Sequence, residues 1–178
     1  GYVFLGWYKD SDYSAEWVFN YDTVNSNLTL YAKWLRQYTV SFDSQGGSPP
    51  SPASKPVTVG QQYGELATTT RTDYIFAGWW TGENGTGTRV ESTTEVTIDS
   101  NQTLYAKWTP QFTVFFDGQD GSSPNPARKV VTFGQQYGPL ATTTRDGFTF
   151  AGWWTGENGS GTQVESTTEV TILSDQTL

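Results

Sequence analysis

The sequence predicts a mainly β fold, α+β at most, built as a series of tandem small modules. Three observations carry that expectation. Phe, Tyr and Trp supply 16% of the residues, against no Met and no Cys. The polar remainder is rich in Thr, Ser, Gly, Asn and Gln, so the composition is that of strands and tight turns rather than helices. Short runs alternate apolar and polar residues with period 2, the mark of half-buried strands. Finally, the chain repeats itself at a fixed offset, which governs the reading of everything else.

Residues 37–104 align with residues 111–178 at an offset of 74 without a gap, and 50 of the 68 aligned positions are identical. GQQYG recurs at 60–64 and 134–138, LATTTR at 66–71 and 140–145, AGWWTGEN at 77–84 and 151–158. Residues 1–34 read as the second half of a more diverged copy, since GYVFLGW at 1–7 matches DYIFAGW at 73–79 and LTLYAKW at 28–34 matches QTLYAKW at 102–108. The expected organisation is therefore half a repeat at 1–34, a complete repeat at 35–108, and a third at 109–178 that lacks its last strand end. No phase makes 178 a whole number of units, so the chain is expected to be a piece of a longer protein.

Within the complete repeat, YTVSFD at 38–43 places Tyr38, Val40 and Phe42 on one face of a strand, and FTVFFD at 112–117 repeats the pattern. QGGSPPSPAS must be a loop, because Pro removes ladder donors and Gly-Gly favours turns. KPVTVG at 55–60 is a second short strand. QQYGELATTTR is the one helix candidate, limited to a single short turn by its three Thr. DYIFAGWW at 73–80 is a third strand, TGENGTGTRV a Gly-rich hairpin connection, and TEVTI and TLYAKW complete the set. Leu35-Arg36-Gln37 and Thr109-Pro110-Gln111 read as joints too short for free motion, which predicts a semi-rigid rod. Buried anchors are expected at Phe42, Phe76, Leu104 and Trp108, and at Phe116, Phe150 and Leu178 in the next copy. A module of about 74 residues buries only about 60% of its unfolded surface, so large aromatics must carry the core.

Composition also excludes classes of function. A net charge of −8 with ten scattered Lys and Arg leaves no basic stripe for nucleic acid or anionic lipid. No apolar run of membrane-spanning length is present. The absence of Cys removes disulfides, thiol catalysis and Cys-type metal sites. The absence of His removes the commonest general base.

YTVSFDSQGG, a Thr-rich segment before GYxFxGW, and TLYAKW occur in that order with regular spacing. In this the chain resembles the Listeria–Bacteroides repeat, also called the internalin B-repeat. The resemblance covers one partial and two nearly complete copies. It implies small ubiquitin-like, β-grasp-like modules arrayed as a rod on secreted or wall-anchored bacterial surface proteins. It implies no shared functional residues. One departure stands out: the second and third copies carry Trp80 and Trp154 with a longer Gly-rich turn, where the first copy keeps Tyr8.

Candidate sites follow from the residue types that remain. Strand alternation sends Tyr8, Trp80 and Trp154 outward if the preceding Trp points in. An exposed aromatic there stacks on a sugar ring or anchors a protein contact, although packing across the sheet is the simpler reading. Glu83, Glu91 and Glu95 recur as Glu157, Glu165 and Glu169, but the first copy has no matching set, so a paired-carboxylate enzyme is not expected. Gly82, Gly85 and Gly87 lack the Lys-Ser/Thr ending of a phosphate loop. Calcium would have to use Asp43, Asp117 or the Glu83-Asn84 turn, and none has EF-hand spacing. Lys33 and Lys107 are read as edge lysines in preference to partners in a Lys–Asn crosslink. Asn27, Asn84, Asn101 and Asn158 fit a glycosylation tripeptide that matters only in a eukaryotic secretory route.

The expectation is a non-enzymatic spacer, stalk or adhesin module at the bacterial cell surface, without cofactors. Its partners would be neighbouring repeats and a host or neighbouring-cell surface protein or glycan. The second reading is a carbohydrate-binding module using the tryptophans. With no metal in the fold, chelation is expected to leave the melting temperature unchanged; a fall of about ten degrees would reveal a bound ion, since a ligand of the native state stabilises by mass action.

Overall fold

The computed structural model describes residues 1–178. Ten strands make up nearly all the regular structure: β1 (Tyr2–Tyr8), β2 (Tyr31–Asp43), β3 (Ser54–Thr58), β4 (Tyr74–Trp80), β5 (Arg89–Val90), β6 (Gln102–Phe115), β7 (Arg128–Thr132), β8 (Trp153–Gly156), β9 (Ser160–Val164) and β10 (Gln176–Thr177). Two single 3-10 turns lie at Glu83–Gly85 and Glu157–Gly159. The chain forms two compact units, Gly1–Thr69 with Gly78–Lys107, and Thr70–Ala77 with Trp108–Leu178. The boundary thus passes through β4 and through β6.

In the first unit β1 runs antiparallel to the early part of β2, from Tyr2↔Arg36 to Tyr8↔Tyr31, with a shift of register between Phe4 and Gly6. The later part of β2 pairs antiparallel with β3, from Gln37↔Thr58 to Ser41↔Ser54. It also pairs in parallel with β6, from Val40↔Gln102 to Asp43↔Tyr105. Antiparallel neighbours can be joined by a short loop, whereas the parallel pair needs the long crossover that residues 59–101 supply. Val40, Phe42, Val57, Tyr63, Ala67, Trp79, Val90, Val96, Leu104 and Ala106 are buried. At the centre the Trp79 indole Nε1–H donates to the Ala67 carbonyl at 2.8 Å, and its ring lies tilted on Phe42 at 4.8 Å.

The second unit repeats this design. β6 pairs antiparallel with β7, from Gln111↔Thr132 to Phe115↔Arg128, and in parallel with β10 at Val114 and Phe115. Trp153 Nε1–H donates to the Ala141 carbonyl at 2.8 Å, and its ring packs on Phe116 at 4.8 Å. Val114, Val131, Tyr137, Val164, Val170 and Leu178 close the core around it. Tyr63 and Tyr137 each extend a hydroxyl from their core to a Gln side chain, Gln102 at 2.8 Å and Gln176 at 3.2 Å. Burial pushes both phenol pKa values up.

Several expectations are corrected. The two supposed joints are not loops: Leu35, Arg36 and Gln37 are paired residues inside β2, and Thr109–Gln111 lie inside β6. An alternating run on either side leaves no break in the extended backbone. The QQYGELATTTR segment forms no helix. Its amides are taken by other segments, Tyr63 N–H by the Thr94 carbonyl and Thr68 N–H by the Ser51 carbonyl, while Lys55 Nζ donates to the carbonyls of Tyr63 and Glu65. TEVTI forms only the isolated bridge Gln62↔Glu95, although Val96 within it is fully buried.

Among the anchors, Phe42, Leu104, Phe116 and Leu178 are buried as expected. Phe76 and Trp108 are half-buried, packed edge-on at 5.3 Å. Phe150 is exposed, at 49%. Its ring meets Trp153 edge-on at 5.3 Å.

Truncating Trp79 to Ala should cost the first unit about 3–5 kcal/mol, because the cavity and the orphaned Ala67 carbonyl add to the lost transfer energy. Trp7→Ala, at a position 38% exposed, should cost about 1 kcal/mol. Denaturant unfolding followed by Trp fluorescence measures both, and equal costs would contradict the assigned core.

Candidate functional site

The outward position after the first Trp of each repeat has three different fates. Tyr8 is buried, not exposed as alternation predicts. The polar loop after it folds back, because the Asp10 carboxylate accepts from the Ser14 amide at 2.8 Å and the Ala15 amide at 3.0 Å. Tyr13 then packs edge-on to Tyr8 at 5.5 Å, and Lys33 Nζ lies 5.0 Å and 5.3 Å from the two rings. Trp80 is half-buried with Lys107 Nζ 4.9 Å above its ring. Its indole nitrogen is buried without a hydrogen-bond partner. Thus Lys33 and Lys107, read as edge lysines, both lie on aromatic faces, an arrangement worth about 0.5–1 kcal/mol at exposed sites.

Trp154 differs. It lines an open groove of about 470 Å³ with Phe148, Phe150, Trp153 and Leu178 on the apolar side. Phe148 and Phe150 are exposed, at 66% and 49%. The polar side is a connected loop system. Asp117 accepts from the Gln119 amide at 2.9 Å, and Gln119 Oε1 accepts from the Asn158 amide at 2.9 Å. Arg145 donates to the Gln119 carbonyl at 3.2 Å, pairs with Asp120 at 3.7 Å and stacks over Phe148 at 4.3 Å. Thr143 Oγ1 donates to the Ser122 carbonyl at 2.7 Å. In the second repeat the equivalent tryptophan and phenylalanine are covered by Lys107 and Trp108, so this opening is not shared by the complete repeat. It offers no nucleophile set against a base.

Sequence reasoning placed Trp154 here but missed Phe148, Arg145 and Gln119. A signal was available only for Phe148, in the stretch where the copies diverge most, TDYIF at 72–76 against DGFTF at 146–150; Arg145 and Gln119 are identical to Arg71 and Gln45. Of the calcium candidates, Asp43 and Asp117 cap the amides of Gln45 and Gln119. No group of three or more Asp, Glu, His or Cys residues is placed to hold a metal ion.

Repeat geometry supplies an internal control on the Lys107–Trp80 packing. Gly85 and Gly159 share a left-handed backbone, φ +77 and +72. A methyl at Gly85 would strike Lys107 Cδ, whereas one at Gly159 meets nothing within 4 Å. Gly159→Ala should cost about 1–2 kcal/mol through backbone strain alone. Gly85→Ala should cost about 1–3 kcal/mol more. Thermal melts of the two variants decide it, and equal shifts would show that Lys107 is not confined.

A family model described as Listeria-Bacteroides repeat domain matches residues 1–33, 38–107 and 112–178. A protein of Evansella cellulosilytica named "Putative membrane protein" is 36% identical over 93% of this chain and 25% of its own length. A "Putative Gly-rich membrane protein" of the same organism is 31% identical over 86% of the chain and 17% of its own length. "Internalin H" of Listeria monocytogenes is 30% identical over 79% of the chain and 24% of its own length. The chain thus spans a quarter or less of these relatives. No solved structure matches it.

Proposed function

The chain belongs to the Listeria–Bacteroides repeat family, and from that premise we propose that it is a non-enzymatic repeat segment of a bacterial surface protein, acting as a spacer, stalk or adhesin module. One observation carries the reading: essentially the whole length is successive copies of a single small unit, with nothing between them. Such arrays add reach by adding copies, and each copy contacts mainly its neighbours. The proposed units are residues 1–34, 35–108 and 109–178, each completed form a β-grasp-like module, set in a row as a rod. Support for the module comes from the first unit, where the β2–β3 hairpin lies beside β6 in parallel register. Support for stiffness comes from β2, which is continuous across the point where one repeat gives way to the next.

The proposed location is the extracellular face of a bacterium, wall-anchored or secreted. The names of the relatives support it, and no helix here is long and apolar enough to cross a membrane. The proposed partners are the neighbouring repeats and a protein or glycan of a host or neighbouring cell, with neither nucleic acid nor membrane insertion. The acidic balance of eighteen Asp and Glu against ten Lys and Arg supports that exclusion.

The second reading is a carbohydrate-binding module using Trp80 and Trp154. A glycan array separates the two. The spacer reading expects no saturable binding. Saturable binding that disappears in a Trp80→Ala, Trp154→Ala double variant, with the fold intact by circular dichroism, would replace it with the glycan-binding one.

A further inference from the structure

A second groove forms where Asp73 and Tyr74 of the second repeat meet residues of the third, and it differs in both charge and polarity from the equivalent place around Tyr2 and Arg36. It is open, about 670 Å³, with Tyr74, Pro110, Phe112, Val130 and Leu173 as its apolar walls and Asp73 and Asp175 at its rim. Val130 and Leu173 are 58% and 82% exposed. Asp175 accepts from the Thr113 amide through one oxygen at 2.8 Å, and the Asp73 carbonyl accepts from Gln111 N–H at 2.8 Å. Arg71 stacks 3.8 Å above the Tyr74 ring and is not among the lining residues.

The second repeat has the same backbone at this place. Gln37 N–H donates to the Gly1 carbonyl at 2.9 Å and Thr39 N–H to Asn101 Oδ1 at 2.9 Å, matching the two bonds above. Its side chains differ. Arg36 stands where the third repeat has Pro110, and its guanidinium donates to the Tyr38 hydroxyl at 3.2 Å and lies beside Tyr2. Tyr2 and Tyr38 are the counterparts of Tyr74 and Phe112, so here an arginine sits at the hydroxyl edge of the aromatic pair. In the third repeat Pro110 supplies no cation, Asp99 has become Leu173, Pro56 has become Val130, and Asp175 stands for Asn101. The formal side-chain charge of the lining goes from zero (Arg36 against Asp99) to −2 (Asp73 and Asp175). The lining loses the arginine that bonds the Tyr38 hydroxyl in the second repeat and gains two carboxylates at its rim.

We infer that this groove docks a segment of a partner protein carrying an arginine flanked by aliphatic side chains. The guanidinium lies between the carboxylates of Asp73 and Asp175, beside Phe112 and on the side where Pro110 replaces Arg36. The aliphatic neighbours cover Leu173 and Val130. Planar guanidinium suits both partners, since it pairs with carboxylate and stacks on aromatic faces. The surface goes beyond a spacer role and does not depend on it.

The test is fluorescence anisotropy of the whole chain with a labelled, N-acetylated Leu-Arg-Leu-Arg-Leu peptide. A Leu-Gln-Leu-Gln-Leu peptide and three variants serve as controls. Saturable binding of the arginine peptide is expected. Pro110→Arg, which restores the residue of the second repeat and fills the groove from within, should weaken it about tenfold. Asp175→Asn should weaken it several-fold, and it keeps the Thr113 hydrogen bond, as Asn101 shows for Thr39. Glu157→Gln removes the same charge elsewhere and should change nothing. Unaltered melting temperatures confirm that the variants are folded. The inference is overturned if the arginine peptide shows no saturable binding, or if the glutamine peptide binds as well. It is equally overturned if Glu157→Gln weakens binding as much as Asp175→Asn, or if Pro110→Arg leaves it unchanged.

Discussion

Each complete core in this chain is organised by one tryptophan. Trp79 and Trp153 carry the same two constraints, an indole N–H held by an alanine carbonyl twelve residues earlier and a ring tilted on a phenylalanine at 4.8 Å. The hydrogen bond fixes the ring's rotation, and the Phe fixes its depth. Without that bond the indole nitrogen would be buried unpaired, at a cost of about 1–3 kcal/mol. The tryptophan therefore ties three separated segments together: the strand that bears it, the Thr-rich segment ending in Ala67 or Ala141, and the edge of the strand bearing Phe42 or Phe116. A small module without disulfide or metal needs a long-range tie of this kind.

The second constraint is the long strand. In β2, residues 31–36 complete one copy by pairing with β1, and residues 37–41 begin the next by pairing with β3. A strand pairs along both its edges, so one continuous backbone serves both copies without a linker. Two separate domains would instead be joined by an exposed segment with few contacts. Compactness accordingly divides the chain within β4 and β6, whereas the family model starts and stops within a few residues of YAKW.

Much of this was legible from sequence. The offset of 74 fixed which residues must be equivalent, and alternation identified β3, β4 and the anchors Phe42, Leu104 and Phe116. The errors have physical causes. Alternation cannot see a loop fold back, so Tyr8 was read as exposed, although Asp10 and Ser14 mark a turn that carries Tyr13 over it. Periodicity gives a face and not a degree of burial: Phe150 has the right face and meets Trp153 edge-on, yet it is 49% exposed. The Thr-rich segment defeated both templates, because its backbone hydrogen bonds go to residues far along the chain instead of to a helix or a regular ladder. The Trp154 groove was half visible, since a recurring Trp-Trp pair is conspicuous while the loop that closes its polar side emerges only once the chain is folded.

Near-identity between copies also tells the two grooves apart. Beside Trp154 the lining residues are mostly shared with the second repeat, where Lys107 lies over the equivalent ring Trp80. There the two copies have one design, and the opening reflects which residues lie nearby. At the Asp73–Asp175 groove the backbone hydrogen bonds are retained while arginine, aspartate and asparagine give way to proline, leucine and aspartate. Only 18 of 68 positions differ between these copies (68 − 50), and Pro110 lies just before that stretch. Exchanges at 112, 130, 173 and 175 share one lining, and each moves it toward an apolar floor or an acidic rim. Phe112 packs against the core, but core packing does not explain the exchanges at 130 and 173, because Val130 and Leu173 are solvent-exposed and exposed apolar side chains contribute little to stability. A surface that becomes more apolar and more acidic on an unchanged frame gains nothing in folding, which is the change the proposed docking of an arginine segment would use.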